Sequence, residues 1–182
     1  MTLLPVNEPR ALPASISLGP LPIGRAMETV DQQVVRAPLD RIFGLARDVE
    51  HWPALLAHYR FVRFRERDAA NGGVVEMAAN RPFGLIDWPT WWLSEMEVRT
   101  PADAAPVIRF RHIGGITKGM DVAWTFETLG QATLVKIIHV WDGPSWPMIG
   151  VEAARMVIGP IFVHGIASRT LSGLAQVAEK GR

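Results

Sequence analysis

The sequence contains no cysteine, which excludes disulfide bonds, thiolate nucleophiles and cysteine-ligated zinc. It also has no excess of charge of one sign, because 19 lysines and arginines are balanced by 18 aspartates and glutamates. Neither sign forms a sustained block, and phosphate binding normally requires a concentrated basic face, so we expect no nucleic-acid partner. Tyrosine occurs once, whereas seven tryptophans supply large apolar faces with one hydrogen-bond donor each.

Long hydrophobic runs and targeting signals are missing as well. The longest apolar stretch, residues 148–167, is interrupted by Glu152, Arg155 and Pro160, so we expect no membrane-spanning segment. The N-terminus has no basic start followed by an unbroken apolar run, and a cytoplasmic location follows by default. No nucleotide-binding glycine motif, GxSxG nucleophile motif or HExxH zinc motif occurs. The sequence therefore predicts no cofactor and no metal site.

The length and composition are typical of one globular domain, since the chain has 182 residues of which 48% are apolar and 20% charged. A chain of this size buries roughly 70% of its unfolded surface, which is enough for a core and an internal cavity. Five of the fourteen prolines lie before residue 28. Residues 1–27 are therefore predicted to form an extended arm that adds little to the core, and residues 28–182 to form the folded domain.

The first elements of the domain are predicted to be one strand and two short helices. Residues 28–36 place valines among polar residues, as in a strand. Pro38 suits the first turn of a helix, and the apolar residues after it recur at 3.6-residue spacing. Asp48 can cap a second short helix. The residues of that helix that are expected to point inward are Trp52, Leu55 and Leu56.

Six strands in hairpin succession are predicted next, because apolar residues alternate and the breaks are rich in Gly, Asn, Asp and Pro. Asn71-Gly72-Gly73 supplies the first hairpin turn. The strands are expected at residues 61–67, 74–80, 88–98, 107–113, 120–128 and 133–141.

A long C-terminal helix over about residues 146–180 completes the predicted elements, with Gly159-Pro160 as a break or kink. Its apolar stripe comprises Ala153, Val157, Ile161, His164, Ser168, Leu171 and Ala175. A curved antiparallel sheet of about seven strands must cover its apolar face, and only this helix is long enough to do so. The predicted class is therefore α+β.

Two parts of the sequence resemble a known family. The first comprises residues 35–43 (VRAPLDRIF), residues 48–53 (DVEHWP) and Tyr59, and the second comprises residues 120–126 (MDVAWTF) and 130–135 (GQATLV). Together they resemble polyketide cyclase/dehydrase-like proteins of the START-like (SRPBCC) superfamily. The resemblance implies a helix-grip fold, in which the sheet curls around the terminal helix and an apolar ligand cavity lies between them. It does not determine the chemistry, because one fold hosts many functions.

The resemblance also implies which side chains line the cavity. In the aromatase/cyclase branch these are a Trp and a Tyr near the second helix, arginines and tryptophans on the concave face, and polar groups of the terminal helix. Met96 stands where an arginine of the fourth strand is expected to steer ring closure, which argues against cyclase activity and leaves ligand binding unaffected. The matching positions in this sequence are Trp52, Tyr59, Trp92, Arg111 and Trp124. The residues expected to bind the ligand are Trp52, Trp92, Met96, Trp124 and, on the apolar stripe of the terminal helix, His164.

For Arg111 and for His139 on the last strand, the sequence leaves a choice open. Arg109 and Arg111 share one face of their strand, and Phe110 and His112 share the other. Periodicity alone puts the arginines on the outside, whereas the resemblance turns Arg111 inward, where a ligand oxygen would be its partner. His139 falls on the cavity side of the last strand. It is either a hydrogen-bonded core residue or a proton-exchanging group.

Trp88, Trp91 and Trp92 are divided between the two sheet faces by the same alternation. An exposed indole among them would indicate a homodimer surface or a contact with a lid.

The function predicted from these features is binding of a hydrophobic, aromatic or polyketide-like small molecule in the cavity. In an enzyme that cyclises or dehydrates it, Tyr59 would donate a proton, Arg111 would stabilise enolate charge and His139 would exchange protons. The alternatives are a non-catalytic carrier of a quinone or lipid, and a regulatory or toxin-like module that acts through its surface.

Overall fold

A curved antiparallel sheet of seven strands, in the order β1-β7-β6-β5-β4-β3-β2, forms the frame of the molecule. The computed structural model describes residues 13–83, 86–144 and 164–180, without the side chains of residues 81–88. The helix-grip arrangement of the α+β class is confirmed, since a C-terminal helix packs on the inner face of the sheet. The strands are β1 (Met27–Val35), β2 (Tyr59–Arg67), β3 (Gly73–Phe83), β4 (Ile86–Arg99), β5 (Val107–Gly115), β6 (Asp121–Leu129) and β7 (Ala132–Trp141).

The turn between β2 and β3 shows why the hairpin succession could be predicted locally. Asn71 has a φ of 64°, a left-handed conformation that Asn tolerates better than most residues. Gly73 has a φ of 133°, and a Cβ atom at this position would lie 2.0 Å from the Glu66 carbonyl oxygen. Only glycine fits there, so this turn fixes how β2 pairs with β3.

Two short helices, α1 (Leu39–Arg47) and α2 (Trp52–Leu55), cross one end of the inner face and are joined by a 3₁₀ turn, Val49–His51. Asp48 precedes that turn, but its carboxylate accepts no capping hydrogen bond and lies 2.8 Å from His51 Nδ1. Trp52 and Leu56 point inward as predicted. The prediction for Leu55 is wrong, because the chain leaves helical geometry at Leu56 and Leu55 remains 38% exposed.

The C-terminal helix, α3 (His164–Lys180), packs along β1 and closes the inner side of the sheet. Leu171 and Ala175 are buried as predicted, but His164 and Ser168 are not buried. At the N-terminal end of α3, the buried face is therefore rotated about the helix axis relative to the predicted stripe. The buried residues are Ile166, Ala167, Thr170, Leu171, Leu174, Ala175 and Ala178. Ala153, Val157, Ile161 and the predicted break at Gly159-Pro160 lie outside the described residues. None of the described helices is long and apolar enough to cross a membrane.

Residues 13–26, called the strap below, run across the outer face of the sheet. Asp68 and Glu97 accept hydrogen bonds from the Ile16 and Leu18 amides, at 3.0 and 3.1 Å. Leu18 is 6% exposed. The strap thus makes specific polar contacts that its proline content does not prevent, while the expectation that the arm adds little to the core stays a prediction. Residues 1–12 lie outside the described chain.

Candidate functional site

A cavity lies between the inner face of the sheet, α2 and α3. Its wall is mostly apolar and aromatic, with a few hydrogen-bonding side chains. The lining residues are Trp52, Tyr59, Met77, Trp92, Phe110, His112, Thr117, Met120, Val122, Trp124, Ile137, His139, Ile166, Ala167 and Thr170.

The aromatic side of the wall is built by contacts between rings. The Trp52 ring lies 5.2 Å from the Tyr59 ring and 5.7 Å from the Trp124 ring, measured between centroids. Trp52 is also held by its indole nitrogen, which donates to the Leu45 carbonyl at 3.0 Å. Trp92 is 6.1 Å from the His112 ring and nearly parallel to it, at 23°. These contacts fix the rings before any ligand enters, which reduces the ordering cost of binding.

Two imidazoles, those of His112 and His139, lie in the described wall. His112 Nδ1 lies 2.7 Å from Thr117 Oγ1, and His139 Nδ1 lies 3.4 Å from Thr29 Oγ1. His139 is 8% exposed, so the sequence-based assignment of its side chain to the cavity side of β7 agrees with the structure. Each imidazole is thus oriented by a threonine hydroxyl, as a group that exchanges protons with a ligand requires.

A second polar group is centred on Thr170 of α3, which is 1% exposed. The Tyr59 hydroxyl lies 3.2 Å from Thr170 Oγ1, and His58 Nε2 lies 3.1 Å from the same atom. Burial, together with the nearby Arg169 charge, lowers the pKa of His58 below its ordinary value. His58 is therefore a neutral imidazole near neutral pH.

The described cavity is small and carries no formal charge. Its volume is about 70 Å³, above the ~10–15 Å³ that one water needs and below the ~300–1,000 Å³ of pockets for drug-sized ligands. None of the described side chains in its wall belongs to Asp, Glu, Lys or Arg. The arrangement suits one ring or a similar flat, uncharged part of a larger ligand.

Arg111 lies on the outer face of the sheet, so its predicted place in the cavity is wrong. Its Nε donates to Asp121 Oδ1 at 3.1 Å, and its Nη2 donates to the Leu18 carbonyl at 3.3 Å. The alternation of β5 had placed Arg111 outside and Phe110 and His112 inside, and the structure follows it.

Arg109, on the same outer face, is not solvated either. It is 2% exposed and donates to the Gly19 carbonyl of the strap at 2.8 Å.

Met96 and His164 also lie away from the described cavity wall, contrary to the prediction. Met96 is completely buried in the core on the inner face of β4, further along the strand than the lining residue Trp92. His164 keeps 60% of its side chain exposed, and its Nδ1 lies 2.5 Å from Asp31 Oδ1. Burial raises the pKa of the Asp31 carboxyl, although His164 acts in the opposite direction.

Of the predicted site residues, Trp52, Tyr59, Trp92, Trp124 and His139 meet at the cavity. Sequence reasoning missed His112, Thr117 and Thr170 as site residues. His112 could have been found, because it alternates with the outward arginines of β5 and therefore faces inward. Thr170 could not be found, because its partner Tyr59 lies 111 residues away in the sequence.

No group of three or more His, Asp or Glu side chains comes together as metal ligands among the residues that the structure describes.

Comparison with solved structures supports the fold. The protein TTHA0849 of Thermus thermophilus superposes with a TM-score of 0.69 at 20% identity, covering 85% of this chain and 99% of that one. The Zhui aromatase/cyclase of Streptomyces sp. R1128 superposes with a TM-score of 0.66 at 16% identity, covering 86% and 96%. A START superfamily protein of Mycobacterium smegmatis superposes with a TM-score of 0.65 at 13% identity, covering 85% and 99%.

Comparison of sequences is more specific. A Streptomyces halstedii protein named "Putative polyketide cyclase" is 29% identical over 120 residues, which are 62% of this chain and 99% of that protein. Residues 35–161 match the family described as "Polyketide cyclase / dehydrase and lipid transport". The matched segment spans more than half of the chain and includes both parts of the sequence that carry the resemblance. The chain belongs to the polyketide cyclase/dehydrase and lipid transport family.

Proposed function

We propose that the protein binds an uncharged, flat, hydrophobic molecule that carries a few oxygens, such as an aromatic or polyketide-like compound. The observation that carries this proposal is the cavity wall, in which preordered aromatic rings surround two imidazoles and hydroxyl groups without a charged side chain among the described residues. Indole and phenol rings contribute about 0.5–1.5 kcal/mol per aromatic contact beyond area burial. A charged ligand group would lose its hydration there without gaining an ionic partner.

The proposal includes cyclisation and dehydration of a poly-keto chain by His139 and His112. One imidazole takes a proton from a methylene group between two carbonyls, and the resulting carbanion attacks a carbonyl carbon of the same chain. The new alkoxide takes the proton back from the imidazolium, and loss of the hydroxyl with a neighbouring proton releases one water. Since Arg111 lies outside, positioning of the chain by the ring wall supplies most of the rate acceleration.

A second function, that of a non-catalytic carrier, is favoured by one observation. The described wall offers no cationic side chain to stabilise the negative charge of an enolate, which cyclase chemistry generates. A carrier needs only the apolar wall and hydrogen-bonding groups that hold the oxygenated end of a quinone or lipid.

Binding at the cavity is tested by filling it. Ala167 lines the cavity from α3, and Ala167→Leu should weaken binding of 2-naphthol by about tenfold or more, measured by quenching of tryptophan fluorescence. Gln176→Leu, on the exposed side of the same helix, is the matched control and should leave affinity unchanged. Equal affinity of both variants and the natural protein would place the ligand elsewhere.

Catalysis is distinguished from carriage by product analysis. A reactive poly-β-keto thioester incubated with the protein should lose the mass of water faster than with buffer, and His139→Asn should abolish the difference while 2-naphthol still binds. A carrier would instead bind the compound and leave its rate of cyclisation unchanged.

A further inference from the structure

The hydroxyl of Thr170 has a fixed direction. Its Oγ1 lies 2.8 Å from the Ile166 carbonyl oxygen, one helical turn earlier in α3, and a carbonyl can only accept. The single hydroxyl proton of Thr170 is therefore used within the helix. The two lone pairs of Oγ1 remain for the other two neighbours of this oxygen, His58 and Tyr59.

Both of those neighbours must then donate to Thr170. His58 Nε2 is 3.1 Å from Oγ1, and the neutral imidazole satisfies this contact when Nε2 carries its proton. The Tyr59 hydroxyl is 3.2 Å from Oγ1 and has one proton to give. Thr170 thus makes one donated and two accepted hydrogen bonds, the full capacity of a hydroxyl group.

This arrangement sets what Tyr59 offers to a molecule in the cavity. Its ring is oriented by Trp52 and by Trp92, whose centroid lies 6.3 Å away, so the hydroxyl stays beside the helix. Because its proton is given to Thr170, the Tyr59 hydroxyl can meet a molecule in the cavity only through its oxygen, as an acceptor. A ligand O–H is complementary to this oxygen, whereas a ligand oxygen that only accepts would face it without a shared proton.

We propose that Thr170, supported by His58, makes Tyr59 a hydrogen-bond acceptor toward the cavity, so that the site selects ligands with a phenolic or enolic O–H over ligands whose oxygens only accept. The ligand preference rests on the proposed function of the cavity. Thr170 and His58 are positioning residues in this scheme, and Tyr59 is the contact to the ligand. The scheme reverses the role of proton donor that the sequence analysis assigned to Tyr59.

The direction of the Tyr59 proton is measured without any ligand. Tyr59 is the only tyrosine in the chain, so the Fermi doublet of tyrosine in the Raman spectrum reports its hydroxyl alone. The natural protein should show the intensity ratio of a phenol that donates. Thr170→Val should move the ratio away from that of a donor, and Thr170→Ser should restore it. A ratio typical of an acceptor-only phenol, or no response to Thr170→Val, would overturn the proposal.

The preference for a ligand O–H is measured with a matched pair of probes, 2-naphthol and 2-methoxynaphthalene. By fluorescence titration, the natural protein and Thr170→Ser should bind 2-naphthol about fivefold more tightly, the effect of about one net hydrogen bond. Thr170→Val and Tyr59→Phe should reduce that ratio toward one. Equal binding of both probes by the natural protein would overturn the selectivity. Binding of neither probe would reject the proposed function and the ligand preference together, while the Raman ratio would still decide the direction of the proton.

Discussion

The two faces of the sheet use their polar residues in opposite ways. On the inner face, the described cavity wall has no charged side chain, and its polar groups are hydroxyls and imidazoles. On the outer face, Arg109, Asp121 and Glu97 are all less than 9% exposed, because the strap covers them. These three buried charged residues lie on the face away from the cavity, where Glu97 and Arg109 bind the strap.

On the outer face, the buried charged groups are paired with opposite charges and with backbone carbonyls. Asp121 Oδ1 accepts from Arg109 at 3.5 Å and from Arg111 at 3.1 Å, and the strap carbonyls of Leu18 and Gly19 accept from the same two guanidinium groups. Burial lowers the pKa of Arg109, against the opposing effect of Asp121. An arginine in a family that binds ligands is thus not by itself evidence for a ligand site.

The largest expected effect comes from removing the charge of Asp121. Asp121→Asn leaves Arg109 buried without its carboxylate, and breaking a buried ion pair in this way costs about 3–5 kcal/mol. Urea unfolding should show this loss, while the affinity for 2-naphthol of the folded variant stays unchanged. A loss below about 1 kcal/mol would show that the outer face does not depend on the pair.

Deletion of residues 13–19, the first half of the strap, should have the next largest effect. A chain that starts at residue 20 lacks the hydrogen bonds to Asp68, Glu97 and Arg109 and the burial of Leu18. At about 0.5–1.5 kcal/mol per net hydrogen bond, the free energy of unfolding should fall by about 2–4 kcal/mol. A chain that starts at residue 13 is the control, and the difference in unfolding free energy between the two chains measures the contribution of residues 13–19. Equal stability of the two chains would mean that these contacts are incidental.

Substitution of Arg111 should have a smaller effect on stability. It also tests directly whether this residue belongs to the outer face or to the cavity. Its side chain is 39% exposed, so Arg111→Ala should cost about 1 kcal/mol or less. Because Arg111 lies outside the cavity, the affinities for oxygenated and for hydrocarbon aromatic ligands should change equally or not at all. A selective loss of oxygenated ligands would return Arg111 to the binding site.

The smallest effect is a dependence of stability on pH through His58. The pKa of His58 is lowered in the folded protein. As the pH decreases below the unfolded value of 6.5, the unfolded chain therefore binds more protons than the folded protein. The free energy of unfolding decreases over this range until the pH has passed the folded pKa. His58→Gln should lose less stability than the natural protein on acidification from pH 7 to 5, measured by urea unfolding. Because one proton is involved, the unfolding free energies of the natural protein and the variant can diverge by at most about 1.4 kcal/mol per pH unit. Parallel curves would show that His58 titrates normally.

The fold was predictable because its signals are local. Asn71-Gly72-Gly73 determines a hairpin within a few residues, and the alternation of β5 correctly divides the arginines from Phe110 and His112. The burial of Arg109 was not predictable, because the strap carbonyl that covers it belongs to Gly19, 90 residues earlier.

The candidate site was predictable only in part, for the same physical reason. Trp52, Tyr59 and His139 could be assigned to the cavity from sequence spacing and strand alternation, together with the resemblance. The hydrogen-bond partners that orient Tyr59 and His139 come from Thr170 and Thr29, each more than 100 residues away in the sequence. Such contacts depend on how α3 and β1 pack against the sheet, which no local pattern specifies.

The contrast between an uncharged cavity wall and a charged outer face is tested most directly by two ligands of the same shape. Calorimetric titration near neutral pH compares 2-naphthol, which is neutral, with 2-naphthoate, which carries a carboxylate. The absence of a cationic side chain from the described wall predicts that 2-naphthol binds at least about tenfold more tightly, because the carboxylate loses hydration without a partner. Equal or tighter binding of 2-naphthoate would contradict the account, since a cation would then have to reach the ligand.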